Sequence, residues 1–123
     1  MGTSRTLSIT GEKFESLITD NEIVFIDFWA SWCAPCKHFA HIYEKVATLY
    51  DNIVFAKINI EEEPTLAETF QIRSIPHLMV FKQGIVIYSE AGSIPDSTLK
   101  ELVQQALDAD VSEIRAQLDK GEV

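Results

Sequence analysis

The sequence feature that most constrains the fold is the apolar run at residues 23–30, which contains one acidic residue, Asp27. A continuous apolar run of this length is typical of a strand that other elements cover on both faces. A strand at the edge of a sheet would instead alternate between apolar and polar residues. The run therefore predicts a central strand with helices packed on both sides.

Strand and helix patterns alternate along the rest of the chain, with no Gly/Ser-rich linker and no repeat. The predicted order is β-α-β-α-β-α-β-β-α, which indicates one α/β domain. The predicted strands lie at 5–9, 23–30, 53–60, 77–82 and 85–89, and the predicted helices follow Thr10, Pro64 and Pro95 or occupy 33–49. We expect Thr10 to cap the first helix through its side chain.

The chain continues beyond this pattern with a segment that predicts one more helix. Residues 110–113 have the spacing of a capping box, and Val111, Ile114 and Leu118 form a narrow apolar stripe. With 123 residues and 46% hydrophobic content, the chain is long enough for a single core. We therefore expect one domain at 1–109 and a C-terminal helical extension at 110–123.

The charge balance limits the classes of partner. Nineteen acidic and ten basic residues give a net charge of −9, which repels nucleic acid and anionic lipid and favours a monomer. No stretch is long and apolar enough to cross a bilayer, and the first ten residues lack the apolar centre of a signal peptide. We expect a cytoplasmic protein without nucleic-acid or membrane partners.

The only two cysteines, Cys33 and Cys36, follow the central strand within the motif Trp-Cys-Ala-Pro-Cys. In the first turn of a helix they would lie on one face, close enough for either a dithiol or a disulfide. In a reducing compartment such a pair is more often catalytic or metal-binding than structural. Zinc would also need His38 and His41, but His41 lies about 12 Å along the helix from Cys33. We therefore expect no metal.

The position of each thiol in the helix predicts a different role. Cys33 should lie at the helix N-terminus, where free N–H groups and the helix dipole lower a thiol pKa, which makes it the candidate nucleophile. Cys36 would be shielded and would attack second, releasing a substrate from its mixed disulfide with Cys33. We expect the turn after Trp32 to leave Cys33 in view of solvent.

Asp27 and Lys57 interrupt two apolar runs and are the candidate acid–base groups. Burial raises a carboxyl pKa towards neutrality, so Asp27 could accept the proton of Cys36. The alternative is that the two residues form a buried ion pair with only a structural role.

The chain resembles the thioredoxin family over residues 6–109. The residues that carry the resemblance are Asp27-Phe28-Trp29-Ala30, Trp32-Cys33-Ala34-Pro35-Cys36-Lys37, Lys57, Ile75-Pro76, Gly84 and Gly92. The resemblance implies the thioredoxin fold, a central mixed sheet flanked by helices, with Lys57 beside Asp27 and a cis bond before Pro76. It also implies an apolar docking patch of Trp32, Ile75, Pro76 and Gly92, in which the Ile75 backbone pairs with an extended substrate.

The resemblance further implies that the protein needs no bound cofactor. Its redox centre would be the Cys33–Cys36 disulfide, recharged with electrons from NADPH by a flavin-dependent thioredoxin reductase. Because Ala34 and Pro35 add no charge or imidazole between the sulfurs, we expect a reductase and not an oxidase or isomerase.

The chain departs from the family pattern at Ala34, at His77, at His41 and in the added segment at 110–123. Ala34 stands where the family more often has Gly, which leaves the reduction potential open. His77 replaces Thr and could shift the Cys33 pKa or contact substrate, or could simply be hydrogen-bonded on its strand. His41 replaces a helix-kinking Pro, so the long helix should run straighter.

The leading hypothesis is a cytoplasmic protein-disulfide reductase. The alternative hypothesis is a thioredoxin-like adaptor or holdase that binds partners through the apolar patch and the extension at 110–123, with redox change secondary.

Overall fold

The computed structural model describes residues 4–121, so residues 1–3 and 122–123, at the outer ends of the two predicted segments, lie outside it. Five strands and five helices follow in the predicted order. They are β1 (Thr6–Ser8), α1 (Gly11–Asp20), β2 (Ile23–Trp29), α2 (Ala34–Ala47), β3 (Val54–Asn59), α3 (Pro64–Thr69), β4 (His77–Lys82), β5 (Ile85–Ala91), α4 (Asp96–Asp108) and α5 (Ser112–Asp119).

The strands form one mixed sheet in the order β1-β3-β2-β4-β5. β3 runs parallel to both β1 and β2, whereas β4 is antiparallel to β2 and β5. The apolar run that predicted a central strand forms β2, which lies in the middle of the sheet and is almost entirely buried. The predicted α/β class and mixed sheet are therefore confirmed.

Helices cover both faces of the sheet because side chains alternate along β2. Phe25 packs on one face beneath α2 and α4, where the phenol of Tyr43 donates a hydrogen bond of 2.8 Å to the Ala56 carbonyl. Ile26 packs on the other face with Phe14 of α1. Two apolar cores thus hold β2 in place and fix the position of the chain that leaves its end.

The first helix begins as predicted, but its cap differs. Thr10 is the N-cap residue of α1, yet its side chain makes no capping hydrogen bond. Its backbone carbonyl accepts from the Lys13 N–H instead, at 3.1 Å. The predicted side-chain cap at Thr10 is therefore wrong, although the boundary is right.

The predicted extra helix is present as α5, with a different cap and a different apolar face. Val111, not Asp110, is the N-cap residue, and Asp110 accepts from the Ser112 N–H at 2.9 Å. Only Val111 of the predicted stripe is buried, whereas Ile114 and Leu118 are exposed. Ile114 and Leu118 stay exposed because α5 contacts the rest of the described structure through a polar residue, Arg115.

Polar contacts attach α5 to the turn between β4 and β5. The Arg115 guanidinium donates to the Gln83 carbonyl at 3.0 Å. The neighbouring Lys82 ammonium is buried and donates to the carbonyls of Ala106 and Leu107, at 2.8 and 3.0 Å, at the end of α4. The extension therefore contacts its own domain, at the opposite end of the sheet from the C-terminal end of β2.

Within residues 4–121, no helix is long and apolar enough to cross a membrane.

Candidate active site

The two cysteines lie where β2 gives way to α2. Cys33 is the N-cap residue of α2, and its sulfur accepts a hydrogen bond from the Cys36 backbone N–H at 3.2 Å. Pro35 fits the first turn of the helix, where a missing N–H costs nothing. The Cα atoms of the two cysteines are 5.3 Å apart, and the sulfurs form a disulfide. The helix terminus thus brings both sulfurs together and directs the Cys36 backbone N–H at the Cys33 sulfur.

The exposure of the sulfurs differs from the expectation. Cys33 is 4% exposed and Cys36 is 2% exposed, while Trp32 is 67% exposed. In the disulfide form the expectation that Cys33 stands in view of solvent is therefore wrong. Ile60 and Ile75 pack against the pair and cover it, because both belong to loops that meet at this end of the sheet. Ala34 and Pro35 are exposed beside them.

The loop before β4 faces Cys33. The bond between Ile75 and Pro76 is cis, as the resemblance implied. The Ile75 carbonyl oxygen lies 3.7 Å from Sγ of Cys33. The Gly92 N–H donates to the Pro76 carbonyl at 2.7 Å, and Gly92 has a φ of 113°, which a residue with a side chain rarely adopts. Ile75, Pro76 and Gly92 therefore lie together, with Ile75 directly next to the Cys33 sulfur.

Asp27 is the second feature of the site. It is fully buried, and neither carboxylate oxygen has a hydrogen-bond partner within the described part of the chain. Burial raises the pKa of Asp27 to about 7, against the opposing effect of the Lys57 charge. Lys57 is its direct neighbour across β2 and β3. The carboxyl can thus exchange a proton near neutral pH.

The Asp27 carboxyl also affects the buried phenol of Tyr43. Burial raises the pKa of Tyr43, and the charge of Asp27 raises it further. Tyr43 therefore stays protonated and serves as a hydrogen-bond donor to Ala56. Of these two buried groups, only Asp27 has a pKa near neutrality.

A cavity of about 350 Å³ opens between α2 and the strand residues Trp29 and Lys57. It is lined by Trp29, Cys36, Lys37, Ala40, His41 and Lys57. The Lys57 ammonium lies 4.9 Å from the centre of the Trp29 ring. The cavity opens to the outside beside Cys36 and Lys57, the neighbour of Asp27.

Sequence reasoning did not assign Lys37 and His41 to this part of the site. One signal was available, because residues four apart on a helix lie on the same face. Lys37 and His41 are four residues apart, so the sequence could have placed both on one face of the helix that carries Cys36.

His77 lies on the other face of the sheet from Asp27. Its ring packs edge-on against Phe28, with centroids 6.4 Å apart, and its Nε2 is 2.8 Å from the Ser89 hydroxyl. Burial lowers the pKa of His77, and the Glu90 charge partly opposes this. The structure thus places His77 in a hydrogen bond on its strand. A modulating role for His77 remains a prediction.

No group of three or more His, Cys, Asp or Glu side chains within residues 4–121 is arranged to hold a metal ion. His38 and His41 both lie on the exposed side of α2.

Comparison with known proteins gives consistent results. A family model described as Thioredoxin matches residues 5–105. A relative from Streptomyces coelicolor that carries a thioredoxin name is 42% identical over 110 residues, covering 89% of this chain and 82% of the relative. The thioredoxin of Buchnera aphidicola is 36% identical and covers 83% of this chain and 96% of its own.

Solved structures show the same similarity. An N21Q mutant thioredoxin from Halobacterium salinarum superposes with a TM-score of 0.80 at 26% identity, covering 89% of this chain and 99% of its own. The oxidised thioredoxin of Plasmodium falciparum has a TM-score of 0.74 at 35% identity, covering 81% and 96%.

Proposed function

The chain belongs to the thioredoxin family and is a thiol–disulfide oxidoreductase, and from this premise we propose that Cys33 is its nucleophile and Cys36 its resolving thiol. The observation that supports this assignment best is the hydrogen bond from the Cys36 N–H to the Cys33 sulfur at the start of α2. In the reduced protein, the same N–H and the helix dipole would stabilise a Cys33 thiolate.

The reaction proceeds in two exchanges. The Cys33 thiolate attacks a substrate disulfide, forms a mixed disulfide and releases one substrate thiolate. Cys36 loses its proton and attacks Cys33, which forms the Cys33–Cys36 disulfide and releases the second substrate thiolate. Two electrons pass to the substrate, so the reaction needs no bound cofactor.

Asp27 accepts the proton of Cys36 in the second exchange. Its pKa of about 7 makes the carboxylate a base of suitable strength at neutral pH. Lys57 adjusts that strength through its charge, which lowers the Asp27 pKa. The purely structural alternative, a buried ion pair, is weakened by the absence of a direct hydrogen bond to either carboxylate oxygen among the described residues.

The substrate docks on Trp32, Ile75, Pro76 and Gly92. Trp32 offers a large exposed apolar surface next to Cys33. The Ile75 backbone, close to the Cys33 sulfur, can pair with an extended segment on either side of the substrate disulfide. Ala34 and Pro35 leave the approach to Cys33 uncharged, which suits a reductant.

As a member of this family, the chain exchanges thiols with disulfide-bearing proteins and with a reductase. We propose that the reductase is a flavin-dependent thioredoxin reductase that takes its electrons from NADPH. We also propose that the protein works as a monomer in the cytoplasm, where a disulfide reductant is needed. Its net charge of −9 supports the monomer.

We keep the division into a thioredoxin domain at 1–109 and an extension at 110–123. The family match, which ends at residue 105, supports this division. The alternative function as an adaptor or holdase is not favoured, because the chain is similar to thioredoxins over most of its length and carries the Cys33–Cys36 pair.

The experiment that tests the function is the reduction of insulin by dithiothreitol, in which the turbidity of the precipitating insulin is measured over time. The unsubstituted protein should accelerate precipitation, and Cys33→Ser should abolish the acceleration. A holdase would keep its effect after this substitution, so suppression of turbidity by both proteins would contradict the proposed function.

A further inference from the structure

The buried proton acceptor of this site needs a route to solvent. Asp27 is fully buried and has no hydrogen-bond partner among the described residues. A proton taken from Cys36 must leave before the next cycle, and the two apolar cores close the sheet above and below. The cavity beside α2 is the opening that reaches Cys36 and Lys57, the neighbour of Asp27. Protons can therefore leave on this side.

The lining of this cavity contains few groups that could carry a proton. Trp29 is a donor only, and Ala40 contributes no polar side chain. Lys37 and Lys57 are ammonium groups, whose three N–H bonds donate and do not accept. His41 has an imidazole, which can accept a proton on one nitrogen and release one from the other. It lines the cavity and lies on the exposed side of α2.

We propose that His41 relays protons between solvent and the buried Asp27–Cys36 pair. This inference rests on the proposed roles of Asp27 and Cys36 and adds a residue to them. His41 stands where the family pattern has a proline, which could not take part in proton transfer, and α2 continues through this position without interruption.

The steps balance without a further reactant. As Cys36 attacks Cys33, its proton passes to the Asp27 carboxylate. It then passes through water in the cavity, which has room for several molecules, to the His41 imidazole. The imidazolium releases a proton to solvent from its outer nitrogen. When a reductase opens the Cys33–Cys36 disulfide, the same route delivers a proton inwards.

The charged groups that face the relay come from three elements. Lys37 lies on α2 itself, Lys57 projects from β3, and Asp27 lies beneath on β2. Because the two lysines share the cavity with His41, replacing His41 by another cation would not reproduce the relay. The informative substitutions therefore replace His41 with an uncharged residue.

The test measures the second exchange separately from the first. The reduced protein is mixed with a peptide disulfide in a stopped-flow instrument, at low buffer concentration and pH 7. We compare His41→Gln, His41→Ala and a matched control, His38→Gln, which changes an exposed histidine of the same helix that does not line the cavity. The rate of Cys33 alkylation by iodoacetamide reports the first thiol independently.

We expect His41→Gln and His41→Ala to slow resolution about fivefold, which is less than the hundredfold of a direct acid–base group because cavity water still conducts. Added imidazole should restore His41→Ala, while Cys33 alkylation and the His38→Gln rates stay unchanged. Normal resolution in His41→Gln, or a loss that imidazole does not restore, would overturn the relay.

A parallel measurement on Asp27→Asn separates this inference from the proposed function. Slow resolution in Asp27→Asn with normal rates in His41→Gln refutes the relay and leaves the proton acceptor standing. Normal resolution in Asp27→Asn with slow resolution in His41→Gln refutes Asp27 as the proton acceptor and leaves His41 acting on Cys36 directly.

Discussion

Asp27 and Lys57 are direct neighbours across the parallel strands β2 and β3, yet the Asp27 carboxylate accepts no hydrogen bond from Lys57. The lysine charge lowers the pKa of Asp27, but burial has the larger and opposite effect and brings that pKa to about 7. A carboxylate held in this way lowers the free energy of unfolding at neutral pH. The buried Asp27 carboxyl is therefore kept at the expense of stability.

This cost predicts a pH dependence of stability. The folded Asp27 pKa of about 7 lies above its ordinary value of 3.8, so the folded state binds more protons between these values. The contribution of Asp27 to the free energy of unfolding should fall as pH rises from about 4 to 7, by on the order of 4 kcal/mol. Asp27→Asn should remove this fall.

The measurement is urea unfolding of the oxidised protein and of Asp27→Asn at several pH values between 4.5 and 8. The stability gained by the substitution should be greater at pH 8 than at pH 4.5. An equal difference at both ends of the range would show that the carboxyl does not titrate in this window.

Asp27→Asn should also slow the second thiol exchange. The amide cannot accept the Cys36 proton, so we expect a loss of about a hundredfold in the resolution rate at pH 7. Single-turnover fluorescence with a peptide disulfide measures this rate, and urea unfolding verifies that the variant is folded. Unchanged resolution in a folded Asp27→Asn protein would leave only the structural role.

The two cysteines should differ when each is replaced. Cys36→Ser should accumulate a mixed disulfide between Cys33 and a substrate protein, because the resolving thiol is missing. Cys33→Ser should accumulate little, because Cys36 lies inside α2 and lacks the helix-terminal position of Cys33. Mass spectrometry of the covalent adducts provides the measurement. Equal trapping by the two variants would reverse or remove the assigned order.

Lys82→Met should destabilise the protein without affecting its chemistry. The Lys82 ammonium satisfies the carbonyls of Ala106 and Leu107, and its loss leaves these acceptors without their charged donor. We expect a decrease of about 2 kcal/mol in the free energy of unfolding. Lys120→Met, on the exposed side of α5, serves as the control and should change stability by less than about 0.5 kcal/mol.

Insulin reduction by folded Lys82→Met should remain unchanged, because Lys82 lies at the opposite end of β4 from Pro76. Loss of activity at a temperature where the variant is fully folded would indicate that the contact of Lys82 with the end of α4 influences the redox site.

Local pattern was sufficient for most of the fold. Three predictions needed only adjacent residues. They are the apolar run that forms β2, the helical spacing of α2 and the proline at the start of α3. Patterns that depend on a neighbour were less reliable. Thr10 occupies the predicted cap position without a side-chain cap, and Ile114 and Leu118 form an apolar stripe that stays exposed among residues 4–121.

The sequence by itself determined the order of elements, the central strand and the position of the thiol pair at a helix terminus, since these follow from periodicity and from adjacent residues. Only the tertiary structure decided that Ile60 and Ile75 cover the sulfurs, that His77 faces away from Asp27, and that His41 shares a cavity with Cys36. Such relations join residues distant in the chain, and their geometry depends on how the strands pair and the helices pack.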